Sequence, residues 1–146
     1  AIVAGRLPVD TAIDGLLDDD AAHQRRARES LPVVRASARA ELLRRAGWAR
    51  DFILSNYAEP ITLDQIAAAA HLSKYHLLRT FRQTYGVTPH ALLRTRRAQQ
   101  AVTLLREGHV DLTEVAVAVG FGSRWAMQRA LRSHCGATGR TLRRVA

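Results

Sequence analysis

Apolar side chains in the second half of the chain recur at helical spacing. Leu77, Phe81 and Tyr85 lie at i, i+4 and i+8, with Ser73 before them as a helix cap and Gly86 after them as a helix end. Runs that alternate apolar and polar residues, as in half-buried strands, are missing, and Ala, Leu and Arg dominate the composition. This pattern predicts an all-α protein.

The same arrangement occurs twice. The stretch 61–72 aligns with 110–121, and the stretch 73–88 aligns with 123–138. The alignment keeps a serine cap, an aromatic residue shortly after it, two arginines one turn apart and a terminal glycine. Because a chance match rarely keeps all of these in step, we interpret the chain as two copies of one supersecondary unit.

Each copy predicts a short Ala-rich helix, a tight turn and a second helix that begins after a serine. The short helices are expected at 63–70 and 112–119, each opened by a capping box (Thr62 with Gln65, Asp111 with Glu114). In the second copy Gly120 suits the left-handed conformation of the turn. In the first copy His71 stands there, at some strain.

Two further helices are predicted around the copies. Thr88 and Pro89 fit the N-cap and first turn of a helix that ends near Glu107. Residues 38–57 form another amphipathic pattern, whereas residues 1–36 mix acidic and basic runs and predict a linker or a partner-facing segment. The apolar face of the pattern at 38–57 consists of Leu42, Ala46, Ala49 and Ile53.

Charge is distributed unevenly between the two parts of the chain. Residues 1–59 hold nine Arg and nine acidic residues, whereas residues 60–146 hold thirteen Lys or Arg and four acidic residues and so supply the whole net charge of +9. A basic half of this kind is typical of a protein that binds a polyanion. Charge alone is equally compatible with a solvated face that keeps the protein soluble.

Enzymatic chemistry finds little support in the sequence. His71 and His76 are five residues apart, which is not the i, i+4 pairing that chelates a metal from one helix. The single cysteine, Cys135, excludes an internal disulfide, suits a reducing cytoplasm and is expected in the core. The sequence predicts no catalytic residue, metal or cofactor, and neither a membrane span nor a signal peptide.

The exposed faces of the two second helices carry the chemistry of DNA recognition. Arg matches guanine O6 and N7, Gln matches adenine, and aromatic or apolar groups pack on a thymine methyl, while flanking Arg and Ser contact phosphates. In the alternative interpretation, the aromatic residues belong to the core and the arginines form a solvated face without a partner. The repeated face consists of Lys74, Tyr75, Leu78, Arg79 and Arg82 in the first copy, and of Arg124, Trp125, Gln128, Arg129 and Arg132 in the second.

The stretches "LSKYHLLRTFRQTYGVTP" (72–89), "LLREGHVDLTEVAVAVGF" (104–121) and "GFGSRWAMQRALRSHCGAT" (120–138) resemble the DNA-binding domain of AraC/XylS transcription regulators. The resemblance covers about residues 38–144. It implies two homeodomain-like helix-turn-helix subdomains joined by a long linker helix, with one recognition helix in each of two successive major grooves of promoter DNA. The base contacts implied are Tyr75, His76, Leu78, Arg79, Arg124, Trp125, Ala126, Gln128 and Arg129. We expect phosphate contacts at Ser73, Lys74, Arg82, Arg94, Arg96, Arg97, Ser123 and Arg132.

The resemblance also implies binding partners, and it shows where this sequence differs from the family pattern. It implies an activator that contacts RNA polymerase and acts in the cytoplasm, at the nucleoid. It also implies a homodimer that forms through a sensing region, of which residues 1–36 are a remnant or linker. In the second copy the family's usual aromatic and proline residues are replaced, which predicts that this copy is less rigid and that the first holds its groove more firmly. The replacements are Met127, Leu131, Cys135, Gly139 and Leu142.

We therefore expect four segments: 1–36, a first subdomain at 37–88, a linker helix at 89–107 and a second subdomain at 108–146. Two other interpretations remain open. One is a helical module whose basic face binds an acidic protein, and the other is a non-specific nucleoid-type DNA-binding protein.

Overall fold

The computed structural model describes residues 8–109 and 111–136. Across these residues every regular element is an α-helix, which confirms the predicted all-α class. Six helices follow one another: α1 Pro8–Asn56, α2 Leu63–Ala69, α3 Lys74–Tyr85, α4 Pro89–Arg106, α5 Leu112–Ala118 and α6 Arg124–Cys135.

Helix α1 is longer than the pattern at 38–57 predicts. It begins at Pro8 and runs through Pro32, so helix also covers most of the segment expected to be a linker. The chain divides into two compact units, Ala1–Glu41 and Leu42–Ala146. In the first unit, Leu31, Val33 and Val34 expose their side chains. The second unit contains both copies of the repeat together with α4; the predicted partition into four segments remains a prediction.

The predicted caps determine where the short helices begin. The Thr62 hydroxyl accepts a hydrogen bond from the Gln65 backbone N–H (3.2 Å), and the Gln65 amide oxygen accepts one from the Thr62 N–H (2.9 Å), which completes a capping box. The Asp111 carboxylate accepts from the N–H groups of Thr113 and Glu114, but the Glu114 side chain makes no return bond to the Asp111 N–H, so Asp111 is a cap without the predicted capping box. These bonds satisfy amide groups that have no partner inside the helix.

Helices α3, α4 and α6 begin and end as the sequence predicts. Ser73 and Ser123 each accept a hydrogen bond from the third residue of their helix, and Gly86 and Gly136 end α3 and α6 in the left-handed conformation. Thr88 caps α4, with Pro89 in its first turn. The repeat is therefore confirmed in local geometry.

Helix α4 contributes to two hydrophobic cores. Its Leu93 packs in the first core, whereas Leu105 packs in the second. The first core is built from Ala49, Ile53, Ile66, Ala67, Ala70, Leu77, Phe81 and Leu93. The second is built from Ala98, Ala101, Leu105, Leu112, Val115, Ala116, Val119, Phe121, Met127, Ala130 and Leu131. The linker helix is thus also the first helix of the second three-helix unit.

The second copy buries Met127 and Leu131 completely despite its departures from the family pattern. The expectation that Cys135 lies in the core is wrong, because its side chain is exposed and its thiol donates to the Leu131 carbonyl (3.3 Å). The equivalent Tyr85 reaches back to Phe81, with 4.8 Å between the ring centroids, and the short cysteine side chain has no such reach. Gly139 and Leu142 lie outside the described residues.

Candidate nucleic-acid interface

Helix α3 separates a buried face from a basic exposed one. Leu77 and Phe81 are fully buried against the first core, and Thr80, 5% exposed, lies on the same inward face of the helix. Tyr75 is 76% exposed, and the other predicted contacts on this helix are also exposed. The exposed set consists of Lys74, Tyr75, His76, Leu78, Arg79 and Arg82, so all six predicted contacts on α3 are accessible to solvent.

Helix α6 repeats this arrangement. Met127 and Leu131 are buried, whereas Arg124, Trp125, Arg129 and Arg132 are exposed and Ala126 and Gln128 are half-buried. Four of the predicted contacts line one shallow depression of about 170 Å³: Trp125, Gln128, Arg129 and Arg132. Ala126 lies on the side of the helix that packs against the second core. Gln128, Arg129 and Arg132 are therefore more accessible from this depression than Ala126.

Tyr75 on α3 and Trp125 on α6 extend into solvent. Trp125 is 63% exposed, and the guanidinium carbon of Arg124 lies 4.9 Å from its ring centroid, within the range of a cation–π contact. The interpretation of Tyr75 and Trp125 as core residues is therefore wrong.

One acidic side chain approaches the basic face of α3. The Asp64 carboxylate, in the first turn of α2, lies 3.3 Å from the Lys74 ammonium group. Both side chains are largely exposed, so the ion pair contributes at most about 1 kcal/mol. Spacing within α3 does not predict this pair, because Asp64 belongs to the preceding helix and contacts Lys74 only across the turn.

A cleft of about 370 Å³ lies between α4 and α6. Arg94 and Arg129 contribute cationic side chains to it, His90 adds an imidazole, and its described lining residues include no carboxylate. The apolar part consists of Phe121, Ala126 and Ala130, with Gly122, Ser133 and Arg97 completing the lining. Arg129 lines both this cleft and the depression on α6, so the cleft borders the predicted base-contacting surface. His90 was not predicted, because a histidine after an N-terminal proline has no distinguishing pattern.

The three predicted phosphate contacts on α4 differ in their surroundings. Arg94 is exposed at the cleft, whereas Arg96 is half-buried with its guanidinium carbon 5.3 Å from the Tyr57 ring centroid. Arg97 donates to two backbone carbonyls, from Nε to Tyr57 (2.6 Å) and from Nη2 to Glu59 (2.9 Å). Desolvation by burial lowers the pKa of the Arg97 guanidinium below its ordinary value. Because these bonds occupy the Arg97 guanidinium, it is less available to a phosphate than Arg94 or Arg96.

Metal and membrane binding gain no support from the described residues. No group of three or more His, Cys, Asp or Glu side chains among them is placed to hold a metal ion. Within the same residues, no helix has the length and apolar character that crossing a bilayer requires.

Two copies of a short helix, a tight turn and an exposed basic helix define a helix-turn-helix protein. A family model for a helix-turn-helix domain matches residues 66–145, more than half of the chain. The chain belongs to the AraC family of transcription regulators, and its relatives are regulators rather than enzymes.

Individual relatives agree with this assignment. The chain is 38% identical over 74 residues to the uncharacterized HTH-type transcriptional regulator YbfI of Bacillus subtilis, which is 51% of this chain and 26% of that protein. It is 30% identical over 102 residues to the right origin-binding protein of Escherichia coli K12, 68% of this chain and 35% of that protein. The chain thus spans about a third or less of the length of these curated relatives.

A solved structure shares the fold. The DNA-binding domain of AdpA, described as a global transcriptional factor and solved with a target DNA, matches with a TM-score of 0.64 and 28% identity. The match covers 68% of this chain and 90% of that domain.

Proposed function

We propose that the chain is a sequence-specific transcription activator that inserts α3 and α6 into two successive major grooves of promoter DNA. The observation that carries the proposal is the pairing of Tyr75 with Trp125. These aromatics occupy equivalent positions in two basic helices, and both lie in solvent although each helix buries its opposite face. A face of this composition matches the hydrogen-bonding edges and thymine methyl groups of the major groove.

The roles within each helix follow from side-chain chemistry. Arg79 and Arg129 present a planar fork of donors to guanine O6 and N7, which Lys does not match. Gln128 suits adenine, and Tyr75 and Trp125 pack on thymine methyl groups. The remaining proposed base contacts are His76, Leu78, Arg124 and Ala126.

Phosphate contacts place the two helices in their grooves. Ser73 and Ser123 use their hydroxyl oxygens to accept helix-capping bonds, which leaves each O–H able to donate to a phosphate. Arg94 adds a cation at the cleft beside Arg129, where the described lining residues bring no carboxylate to compete with a phosphate. Arg82, Arg132, Arg96 and Lys74 complete the proposed set.

The length of α4 suits two grooves one turn apart. Its 18 residues correspond to a rod of roughly 27 Å at ~1.5 Å per residue. With the turns at both ends added, this length approaches the ~34 Å that separates successive major grooves on one face of B-DNA. The AdpA domain, which shares this fold, was solved with a target DNA, and that supports the proposal.

Selection of binding sites from random duplexes tests the proposal against its alternatives. We expect enrichment of a motif with two half-sites about one helical turn apart. Binding without enrichment would indicate a non-specific nucleoid-type protein. Absence of DNA binding even at low salt, where phosphate contacts are strongest, would indicate a module that binds an acidic protein.

The proposal has further elements. We propose that the protein activates transcription, contacts RNA polymerase and acts on chromosomal DNA in the cytoplasm. We also propose that it forms a homodimer through residues before the DNA-binding part. Transcription reconstituted from a promoter that carries the selected site tests the first two. An increase in transcript that needs the site supports an activator, and a decrease identifies a repressor. Sedimentation of the chain with and without the site measures its oligomeric state.

A further inference from the structure

Gly120, in the turn between α5 and α6, is required by its neighbours as well as by its conformation. Its φ angle is +94°, in the left-handed region that favours glycine. A Cβ atom at this position would lie 2.7 Å from the Tyr57 carbonyl oxygen, 2.8 Å from Arg97 Nε and 2.9 Å from the Ala58 carbonyl oxygen. The turn of the second copy therefore rests directly on the loop that joins α1 to α2 in the first copy.

The equivalent turn of the first copy lacks this requirement. His71 takes the position there with φ +52°, and its side chain is exposed. Its carbonyl accepts a bond from Arg45 Nη1 (3.0 Å), and its ring lies edge-on to Trp48 at 5.7 Å. Because the same turn accommodates a whole imidazole in one copy, the close approach at Gly120 arises from docking against the other copy rather than from the turn itself.

Arg97 connects the same three segments. It lies on α4, donates to the carbonyls of Tyr57 and Glu59 in the α1–α2 loop, and places its Nε beneath Gly120. Its guanidinium thereby satisfies two loop carbonyls and forms part of the surface on which the turn rests. We call Tyr57–Glu59, Arg97 and Gly120 the junction.

The junction gives the two copies a second point of attachment. The first attachment is α4 itself, whose Leu93 belongs to the first core and whose Ala98, Ala101 and Leu105 belong to the second. Arg97 lies between these two sets on the same helix. A helix alone permits bending and twisting along its length, whereas a helix with a contact beside it resists rotation of one copy relative to the other.

From these contacts we infer that the junction determines which spacing of DNA half-sites the protein accepts, by holding α3 and α6 in one relative position. The consequence for DNA rests on the function proposed above. The mechanical role of the junction, which is to hold α3 and α6 in one relative position, does not. When two linked modules are held rigidly, the second binds at high effective concentration at the matching spacing and poorly at others. Loosening the junction lowers affinity at the preferred spacing and raises the relative affinity for neighbouring spacings.

Two pairs of variants separate docking from general disturbance. Gly120→Ala introduces the Cβ that collides with the loop, and Gly108→Ala is its control, since Gly108 has a similar φ of +97° with no atom within 4 Å of the added Cβ. Arg97→Lys keeps the charge but loses the two-pronged donation, and Arg106→Lys makes the same exchange at an exposed position of α4.

The mechanical role is measured without DNA. The exposed Cys135 on α6 and an introduced Gln83→Cys on α3, another exposed position, accept spin labels for distance measurement in the full chain. We expect one narrow distance distribution in the otherwise unchanged chain and in both controls, and a broadened or shifted one in Gly120→Ala and Arg97→Lys. A broad distribution in the chain without junction substitutions overturns the inference, whatever the variants do.

The consequence for DNA is measured on a selected site whose half-sites are moved apart or together by a single base pair. We expect each move to weaken binding by about tenfold in the unchanged chain and by about threefold or less in the two junction variants. Folded junction variants with an unchanged distance distribution and an unchanged spacing profile contradict the inference. A narrow distance distribution that broadens in the variants, without any spaced site being selected, contradicts the proposed function and leaves the mechanical role intact.

Discussion

Tyr75 and Trp125 occupy the same position in α3 and α6, each the second residue after a serine cap, and both side chains extend into solvent. Neither residue contributes to a described hydrophobic core. Their removal therefore separates binding from stability in a way that removal of a buried aromatic does not.

Tyr75→Ala and Trp125→Ala are each expected to weaken binding to the selected site by about tenfold, within the usual range for loss of one base-pair contact. The free energy of unfolding is expected to change by less than about 0.5 kcal/mol, because no core packing is lost. Fluorescence anisotropy and urea unfolding measure the two quantities. Val117→Ala, at a 67% exposed position on α5, is the matched control and is expected to leave both unchanged. Large losses of stability in the aromatic variants would show that these side chains are structural.

Arg94→Gln tests a phosphate contact at the cleft. We expect weaker binding to specific and random duplexes alike. The slope of log affinity against log salt concentration is expected to be less steep by about 0.9, the contribution of one phosphate contact. Arg106→Gln, on the last turn of the same helix, removes the same charge away from the cleft and serves as the control. A loss confined to the selected sequence would assign Arg94 to base recognition instead.

Asp64→Asn is expected to raise affinity for DNA. The Asp64 carboxylate lies 3.3 Å from Lys74 and competes with a phosphate for the same ammonium group. We expect this gain in affinity for all DNA sequences, and we expect it to diminish at high salt. The loss of the exposed ion pair is expected to lower the free energy of unfolding by less than about 1 kcal/mol. Titration of the variant and of the unchanged chain with DNA at two salt concentrations measures the change in affinity. An unchanged affinity at low salt would show that Lys74 does not approach a phosphate.

Leu105→Ala tests the second core. Leu105 is fully buried at the end of α4, among residues from α5 and α6. Truncation of a buried leucine creates a cavity and costs about 2–5 kcal/mol. Urea unfolding with Val117→Ala as the exposed control measures the difference. A cost below about 1 kcal/mol would contradict close packing of the second core and support the prediction, made from the departures in the sequence, that the second copy is less rigid.

The sequence was sufficient for the local features of the repeat. Caps, helix ends and the inward stripe of α3 depend on residues within one or two turns of each other, so Ser73, Gly86 and Phe81 could be assigned from spacing alone. The exposed faces followed, because the residues opposite a buried stripe must face outward. What the spacing left open was whether Tyr75 and Trp125 belonged to the core, and burial decided this.

Long-range contacts could not be predicted in the same way. Arg97 looks like its neighbours Arg94 and Arg96 in the sequence, and only the position of the Tyr57 and Glu59 carbonyls distinguishes it. Helix α1 begins at Pro8, well before the amphipathic pattern at 38–57, and that pattern holds no signal for its start. The exposure of Cys135 depends on how far a side chain at the end of α6 reaches, which the repeat alignment does not contain.

The central claim is that α3 and α6 each contact bases in a separate major groove. Interference by methylation of guanine N7, a major-groove atom, tests it most directly on the selected site. We expect two clusters of interfering guanines about one helical turn apart, with the Arg79→Ala variant losing sensitivity in one cluster and Arg129→Ala in the other, each at a cost of about 1–3 kcal/mol. A single cluster, or the same loss from both clusters in both variants, would contradict the assignment of one groove to each helix.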